Sequence, residues 1–165
     1  MMVSGKVVKF GDNVDTDVIL PAKYMTLLDP NELAYHAMEG LDPAFILKSK
    51  SGVILVAGKN FGCGSSREQA PLALKYAGVK CVVADSFARI FYRNAINIGL
   101  PIVECVSVSC KVEEGDDLVV DLKEGTVKNQ SKGICLQAPA LPPSILEILS
   151  NGGLIENLRR KMRKK

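Results

Sequence analysis

The stretch that decides how this chain folds is Asn60-Phe61-Gly62-Cys63-Gly64-Ser65-Ser66-Arg67-Glu68. It follows a continuous apolar run, Val53–Ala57, and precedes a helical pattern at 66–77. An apolar run of strand length indicates burial on both faces, which is typical of a parallel sheet. The glycine loop is therefore predicted to join a buried strand to the start of a helix.

Two interpretations of this loop follow from its residues, and the sequence leaves both open. Ser65 and Glu68 fit a Ser-x-x-Glu capping box, in which each side chain accepts from the backbone amide of the other residue. Capping does not use Gly64, Ser66 or Arg67, and the positive end of the helix dipole disfavours an arginine in the first turn. Because free amides at a helix start bind anions, the second interpretation is a site for a carboxylate or phosphate.

Strand and helix patterns alternate around the loop. We predict strands at 3–10, 53–57, 81–84 and 101–104, and helices at 30–39, 66–77 and 86–97. This order is typical of a right-handed α/β unit with a parallel sheet. Pro71 falls inside the helix predicted at 66–77, where we expect it to remove one backbone hydrogen bond and bend the helix.

After residue 104 the pattern changes to short alternating segments around glycines, which predict antiparallel strands. Two helices follow at 144–149 and 154–162, and basic residues are concentrated in 159–161 and 163–165. We expect a single α/β domain over 1–165, with a β-rich second half, C-terminal helices and a basic tail. The length of 165 residues and the 47% hydrophobic content suit one buried core.

Charge and cysteine content argue against several classes of protein. The net charge is only +3, and no aromatic stacking platform accompanies the basic tail, so nucleic-acid binding is not expected. Five cysteines with no Cys-x-x-Cys pair are typical of reduced thiols in the cytoplasm, and they predict no metal or iron–sulfur cluster held by this chain alone. No apolar run approaches the roughly 18 residues of a membrane span. We therefore expect a cytoplasmic protein without a membrane segment.

Three segments, taken together, resemble one family. They are 61–71 (FGCGSSREQAP), 12–21 (DNVDTDVILP) and 86–101 (SFARIFYRNAINIGLP). Their order and spacing are similar to those of the aconitase swivel-domain family, in particular to the free-standing small subunits of 3-isopropylmalate dehydratases. Gln69 is one departure, since that family often has histidine there. The resemblance covers about 6–154 and implies a three-layer β/β/α swivel domain.

The resemblance also implies an activity and a partner. It implies a hydro-lyase of leucine biosynthesis that moves a hydroxyl between neighbouring carbons of a substituted malate by dehydration and rehydration. In that family a [4Fe–4S] cluster on the large subunit acts on the leaving hydroxyl. This chain would then bind no cofactor itself and would be active only with a large subunit.

The resemblance implies roles for five residues. Ser65 matches the serine that removes a proton from carbon, and Arg67 matches the arginine that binds a substrate carboxylate. Asp17 matches an aspartate of the aconitase site, and we expect an orienting role; the alternative is a turn-forming residue. Ser66 and Gly64 are expected to contact substrate. A serine oxygen needs nearby donors to act as a base, and free N–H groups at a glycine loop can supply them.

The segment 24–28 is where the resemblance places substrate choice. Thr26, Leu27 and Leu28 offer apolar surface here, whereas homoaconitase-like members tend to have arginine for an extra carboxylate. A branched alkyl group suits this surface, because burying an unpaired carboxylate is costly. We therefore expect isopropylmalate. The alternative is that Leu27 and Leu28 only pack against the following helix.

Other functions stay open at this point. Homoaconitase, citraconate hydro-lyase and dimethylmalate hydro-lyase small subunits are alternatives within the same chemistry. Outside it, Gly62 and Gly64 between a strand and a helix, with Asp85 ending the next strand, suggest a nucleotide-binding fingerprint, although its third glycine is missing. A non-catalytic domain that binds carboxylates is a further alternative.

Overall fold

The computed structural model describes residues 1–163. In chain order its elements are β1 (Met2–Lys9), α1 (Thr16–Ile19), a 3₁₀ helix (Ala22–Tyr24), α2 (Pro30–Tyr35), α3 (Phe45–Ser49), β2 (Val53–Ala57), α4 (Gln69–Ala77), β3 (Val79–Ala84), α5 (Arg89–Asn97), β4 (Ile102–Glu104), α6 (Val108–Lys111), β5 (Asp117–Asp121), β6 (Thr126–Asn129), β7 (Ile134–Gln137), α7 (Pro143–Ser150) and α8 (Leu154–Arg163). The strands and long helices lie close to their predicted positions.

The strands form one mixed sheet in the order β4-β3-β2-β1-β5-β6-β7. Strands β1 to β4 pair in parallel, and β5 to β7 pair antiparallel. Strand β1 pairs in parallel with β2 on one side and antiparallel with β5 on the other. The predicted change along the chain from a parallel α/β unit to a β-rich second half is confirmed. Within the sheet, β1 is the strand at which the parallel part meets the antiparallel part.

Two buried clusters cover the two faces of the parallel strands. Leu55 of β2 packs in the first cluster with side chains of α2, α4 and α5. The next residue, Val56, packs in the second cluster with Leu118 of β5 and Val127 of β6. Because β1 and β5 lie between β2 and β6 in the sheet, the sheet must curl to bring these side chains together. Helices, parallel strands and antiparallel strands thus form the three layers of the predicted α/β swivel fold.

Helix α4 ends where we predicted but begins later. Gly78 follows it with a left-handed φ of 106°, as a C-terminal glycine does. The predicted start at 66 is wrong, since the helix begins at Gln69. Pro71 is then the third helical residue, where a backbone N–H has no intrahelical acceptor. The expected loss of a helical hydrogen bond at Pro71 is therefore also wrong.

The C-terminal helix α8 carries part of the predicted basic tail. Arg159 pairs with Glu156 at 2.5 Å, and Lys161 pairs with Glu147 of α7 at 3.1 Å, all on exposed surface. These contacts are typical of a solvated helix end. The last two basic residues, at 164 and 165, lie outside the described residues. No helix within 1–163 is long and apolar enough to cross a membrane.

Candidate active site

The parallel strands bring two of the predicted motifs together at the edge where the strands end. The loop after β1 leads into α1, and the loop after β2 is the glycine loop. The Gly62 N–H donates to the Val14 carbonyl at 2.7 Å, and the Thr16 N–H donates to the Cys63 carbonyl at 2.9 Å. The two motifs are therefore hydrogen-bonded side by side, although about 50 residues separate them in the chain.

The two glycines of the loop serve different purposes. Both have left-handed φ angles, 77° at Gly62 and 90° at Gly64. A Cβ at Gly62 would lie 2.1 Å from Cγ of Phe91, a buried residue of α5. A Cβ at Gly64 would lie 3.5 Å from the Thr16 hydroxyl, which is ordinary contact. Gly62 thus allows the loop to pack closely on α5, whereas Gly64 turns the chain towards solvent.

The predicted capping box at Ser65 and Glu68 is wrong. Glu68 itself precedes the first residue of α4, and no side chain within residues 1–163 caps this helix start with a hydrogen bond. Ser65 instead uses its backbone carbonyl, which accepts from the Thr16 hydroxyl at 2.9 Å. Its position before the helix is thus fixed by α1, a contact that local sequence does not reveal.

The side chain of Ser65 is consequently left for another role. Ser65 and Ser66 are exposed, and within residues 1–163 the Ser65 hydroxyl has no hydrogen-bond partner. The N–H groups of 64–67 likewise have no acceptor in that part of the chain. Successive unpaired N–H groups in a glycine turn form an anion-binding concavity. The geometry therefore supports the anion-site interpretation.

Arg67 and Asp17 lie together beside this turn. Nη1 of Arg67 donates to the Asp17 carboxylate and contacts the Leu20 carbonyl at 3.5 Å. The Arg67 side chain is only 12% exposed, while that of Asp17 is 57% exposed. Among the described residues, no acceptor contacts Nε or Nη2 of Arg67. Asp17 thus fixes one end of the guanidinium and leaves its other N–H groups for a ligand.

The turn-forming role considered for Asp17 is played by Asp15, two residues earlier in the chain. Asp15 precedes α1, and its carboxylate accepts from the Val18 N–H at 2.8 Å. Sequence reasoning missed Asp15 and Thr16 as residues that build the site. The signal was present: an aspartate three residues before a valine amide, at the start of an apolar turn, is a typical N-cap.

The segment 24–28 is divided between the core and solvent. Thr26 is exposed and Leu28 is 94% exposed, whereas Leu27 packs against the first buried cluster. The alternative that both leucines only pack against the protein therefore fits Leu27 but not Leu28. Within the described residues no hydrogen bond or ion pair joins this segment to Ser65 or Arg67, but the segment begins four residues after Leu20, whose carbonyl Arg67 touches.

Asp85 is engaged elsewhere and is not placed for a ribose. Its carboxylate accepts from the Ser109 hydroxyl at 2.5 Å and from the Ser109 N–H at 3.1 Å, at the start of α6. A ribose would have to compete with Ser109 at both carboxylate oxygens. The nucleotide-binding alternative is accordingly not supported by the structure.

A cleft of about 530 Å³ lies beside α5 and α7, and it includes none of the predicted site residues. The candidate site instead occupies open surface at the end of the parallel strands. An open arrangement of catalytic groups is expected where a second surface is needed to complete the site.

The cysteines do not form a site for a metal cluster. All five are free thiols. Burial raises the pKa of Cys81, and burial together with the Asp85 charge raises the pKa of Cys105 to about 11. Across residues 1–163, no three His, Cys, Asp or Glu side chains are grouped so that they could hold a metal ion. A [4Fe–4S] cluster therefore does not fit the described part of this chain.

Comparisons with known proteins bear on this geometry. Residues 11–105 match the family model described as the aconitase C-terminal domain. The chain is 58% identical over 159 residues to the 3-isopropylmalate dehydratase small subunit of Halothermothrix orenii, with 96% of each chain covered. It is 57% identical over 161 residues to the isopropylmalate/citramalate isomerase small subunit of Methanocaldococcus jannaschii, with 98% of this chain and 96% of that relative covered.

A solved structure extends the likeness to the fold. It is the crystal structure of a 3-isopropylmalate dehydratase from Methanocaldococcus jannaschii, with a TM-score of 0.91 and 45% identity, covering 98% of this chain and 96% of that one. Sequence and fold thus agree over nearly the whole length. The chain belongs to the aconitase C-terminal domain family, among the small subunits of 3-isopropylmalate dehydratases.

Proposed function

We propose that this chain is the small subunit of a 3-isopropylmalate dehydratase, a hydro-lyase that interconverts 2-isopropylmalate and 3-isopropylmalate in leucine biosynthesis. The names of its relatives support this function. The observation that carries it is the exposed Ser65 hydroxyl, which lies among unpaired N–H groups beside an arginine held by Asp17. Those groups are what carboxylate binding and proton removal from carbon require.

Arg67 and Asp17 would bind and orient the substrate. A guanidinium can make two parallel hydrogen bonds to a carboxylate, which fixes both the position and the plane of the ligand. Because Asp17 and the Leu20 carbonyl already hold Nη1, little side-chain freedom remains to be lost when substrate binds. The exposed N–H groups of Gly64 and Ser66 are placed to contact the same ligand.

Ser65 would carry the proton. The Ser65 hydroxyl would first release its own proton to solvent, and the resulting alkoxide would take the proton from the carbon next to a carboxylate during dehydration, becoming a hydroxyl again. During rehydration the hydroxyl would return this proton to carbon and regenerate the alkoxide. A serine hydroxyl is a weak acid, so the alkoxide has to be stabilised before it can act as the base. The unpaired N–H groups of 64–67 can supply that stabilisation without reorganising.

A large subunit would complete the site. The names of the relatives as small subunits support such a partner, and the open surface around Ser65 supports a site shared between two chains. The resemblance places a [4Fe–4S] cluster on that partner, where it would act as a Lewis acid on the leaving hydroxyl. We also infer that 1–165 form a single domain, and that its five free thiols belong in the reducing cytoplasm.

The substrate would be a malate with a branched alkyl group. Thr26 and Leu28 are the exposed side chains of the segment 24–28, and neither carries a charge to pair with a third carboxylate. The relative named isopropylmalate/citramalate isomerase makes citramalate the second substrate to test.

The test is to combine the chain with a cluster-loaded large subunit and follow the unsaturated intermediate by ultraviolet absorbance. Losing one donor that stabilises a developing oxyanion costs about 100-fold to 1,000-fold in turnover, and we expect at least this loss for Ser65→Ala. Ser144→Ala, which also removes an exposed serine hydroxyl but in α7, is the matched control and should retain most of the turnover. Near-normal turnover of a folded Ser65→Ala subunit would refute the role of Ser65.

A further inference from the structure

A cluster of four side chains lies at the base of the segment 24–28. The rings of Tyr24 and His36 are stacked, with centroids 3.5 Å apart and planes 8° from parallel. Nδ1 of His36 lies 2.9 Å from a carboxylate oxygen of Glu39. The ammonium of Lys23 lies 4.7 Å from the centre of the Tyr24 ring and 3.9 Å from Glu39. Tyr24 thus contacts both the only histidine of the chain and a cation.

The same cluster is tied to the candidate active site through the backbone. The backbone carbonyl of Tyr24 accepts a hydrogen bond from the Leu27 N–H at 3.1 Å, so the position of Tyr24 sets the turn that carries Thr26. Two residues after His36, the Met38 N–H donates to the Ile19 carbonyl at 2.8 Å. Ile19 ends α1, the helix that carries Asp17. The stacked pair therefore joins the proposed specificity segment to the helix that fixes Arg67.

Two side chains of this segment, Tyr24 and Leu27, pack against the first buried cluster. Thr26 is exposed and Leu28 is 94% exposed. The direction in which Thr26 and Leu28 project therefore depends on how the Tyr24 and Leu27 side chains are held. Removing the imidazole stacked on Tyr24 should change where the exposed side chains lie, and it leaves the contacts of Ser65 with Thr16 and of Arg67 with Asp17 in place.

We propose that His36 is a positioning residue that selects among substituted malates by holding Tyr24, and with it Thr26 and Leu28, beside the bound substrate. This rests on the proposed function, because it concerns the alkyl group of the same substrate. His36 touches no reacting atom. Glu39 fixes the imidazole in the stacked orientation, and Lys23 contacts both the Tyr24 ring and Glu39.

The test uses the complex with the large subunit and compares isopropylmalate with citramalate. His36→Ala should raise KM for isopropylmalate about two- to tenfold, the range that one aromatic pair contributes, with kcat changed by less than about twofold. The preference for isopropylmalate over citramalate should fall by the same factor. His36→Phe, which keeps the stacking, should restore most of the preference. Tyr35→Ala is the matched control, because it removes an exposed aromatic ring one residue earlier in the chain.

A second measurement does not depend on activity. Hydrogen exchange of the full chain should be faster in the peptide covering 24–28 of His36→Ala than in the wild type, and unchanged in Tyr35→Ala. If His36→Ala does not fold, Glu39→Gln takes its place in both measurements. An unchanged substrate preference together with unchanged exchange overturns the proposal, even if the melting temperature falls. A wild-type complex inactive on every substituted malate overturns the proposed function, and exchange alone then decides whether His36 positions the segment.

Discussion

Replacing Gly62 with alanine tests whether the glycine loop depends on close packing against α5. A non-glycine residue in the left-handed region costs about 1–2 kcal/mol, and φ at Gly62 is 77°. The new Cβ would also lie 2.1 Å from Cγ of Phe91, so the loop or that buried ring has to move. Overpacking of a core typically costs about 1–3 kcal/mol. We expect Gly62→Ala to lower the free energy of unfolding by about 2–5 kcal/mol, a large part of the about 5–15 kcal/mol of an ordinary domain.

Gly64→Ala is the matched control, because its backbone strain is similar and its surroundings are open. With φ of 90° and no atom closer than 3.5 Å to the new Cβ, only the strain of about 1–2 kcal/mol applies. Urea unfolding of the isolated chain measures both variants. In the complex, Gly64→Ala should fold yet lose activity, since it alters the turn that presents Ser65. The packing argument fails if Gly62→Ala unfolds within about 1 kcal/mol of the wild type, or if the two variants are equally destabilised.

Three further predictions concern charge, specificity and thiols. Arg67→Lys keeps the positive charge but loses the planar guanidinium that can bind a carboxylate through two hydrogen bonds, so kcat/KM for formation of the unsaturated intermediate should fall about 10- to 100-fold. An unchanged kcat/KM would show that Arg67 does not bind the substrate carboxylate. Thr26→Arg should shift preference towards tricarboxylates at least about tenfold, and an unchanged substrate ratio would exclude the segment from specificity. Burial raises the pKa of Cys105 from 9.0 to about 11, so the unfolded chain loses this proton first. The free energy of unfolding should therefore fall as the pH rises from 9.0 to about 11. Urea unfolding at these two pH values should show a smaller fall for Cys105→Ala than for the wild type.

The elements that the sequence predicts well are those defined by their own residues. Strand β2 (Val53–Ala57) matches its apolar run, and α4 ends at Gly78 because only the backbone of glycine adopts that turn readily. Helices α1 and α6 have four residues each, too few for a periodic pattern, and both were missed.

The candidate site was predicted in its residues but not in its contacts. Ser65, Arg67 and Asp17 could be selected from motifs, yet the contacts that place them join residues 49 and 50 apart in the chain. The capping box failed for this reason. The Ser65 carbonyl is engaged by Thr16, so the helix begins later and the serine hydroxyl stays free. A local rule cannot anticipate a competing partner that only the folded sheet brings near.

The open position of the site has a chemical consequence. Preorganised donors stabilise a developing oxyanion far better where water is excluded, because water screens charge and competes for the same N–H groups. In this chain the donors of 64–67 and the Ser65 hydroxyl are in place, but they face solvent. Arg67 is the exception, since its side chain is only 12% exposed and is already fixed by Asp17. Under the proposed function, this chain therefore positions the groups of the site, and the surface of a second chain excludes water from them. Under the proposed function, this division predicts that the chain is inactive without its partner, even though Ser65 and Arg67 are already held in position.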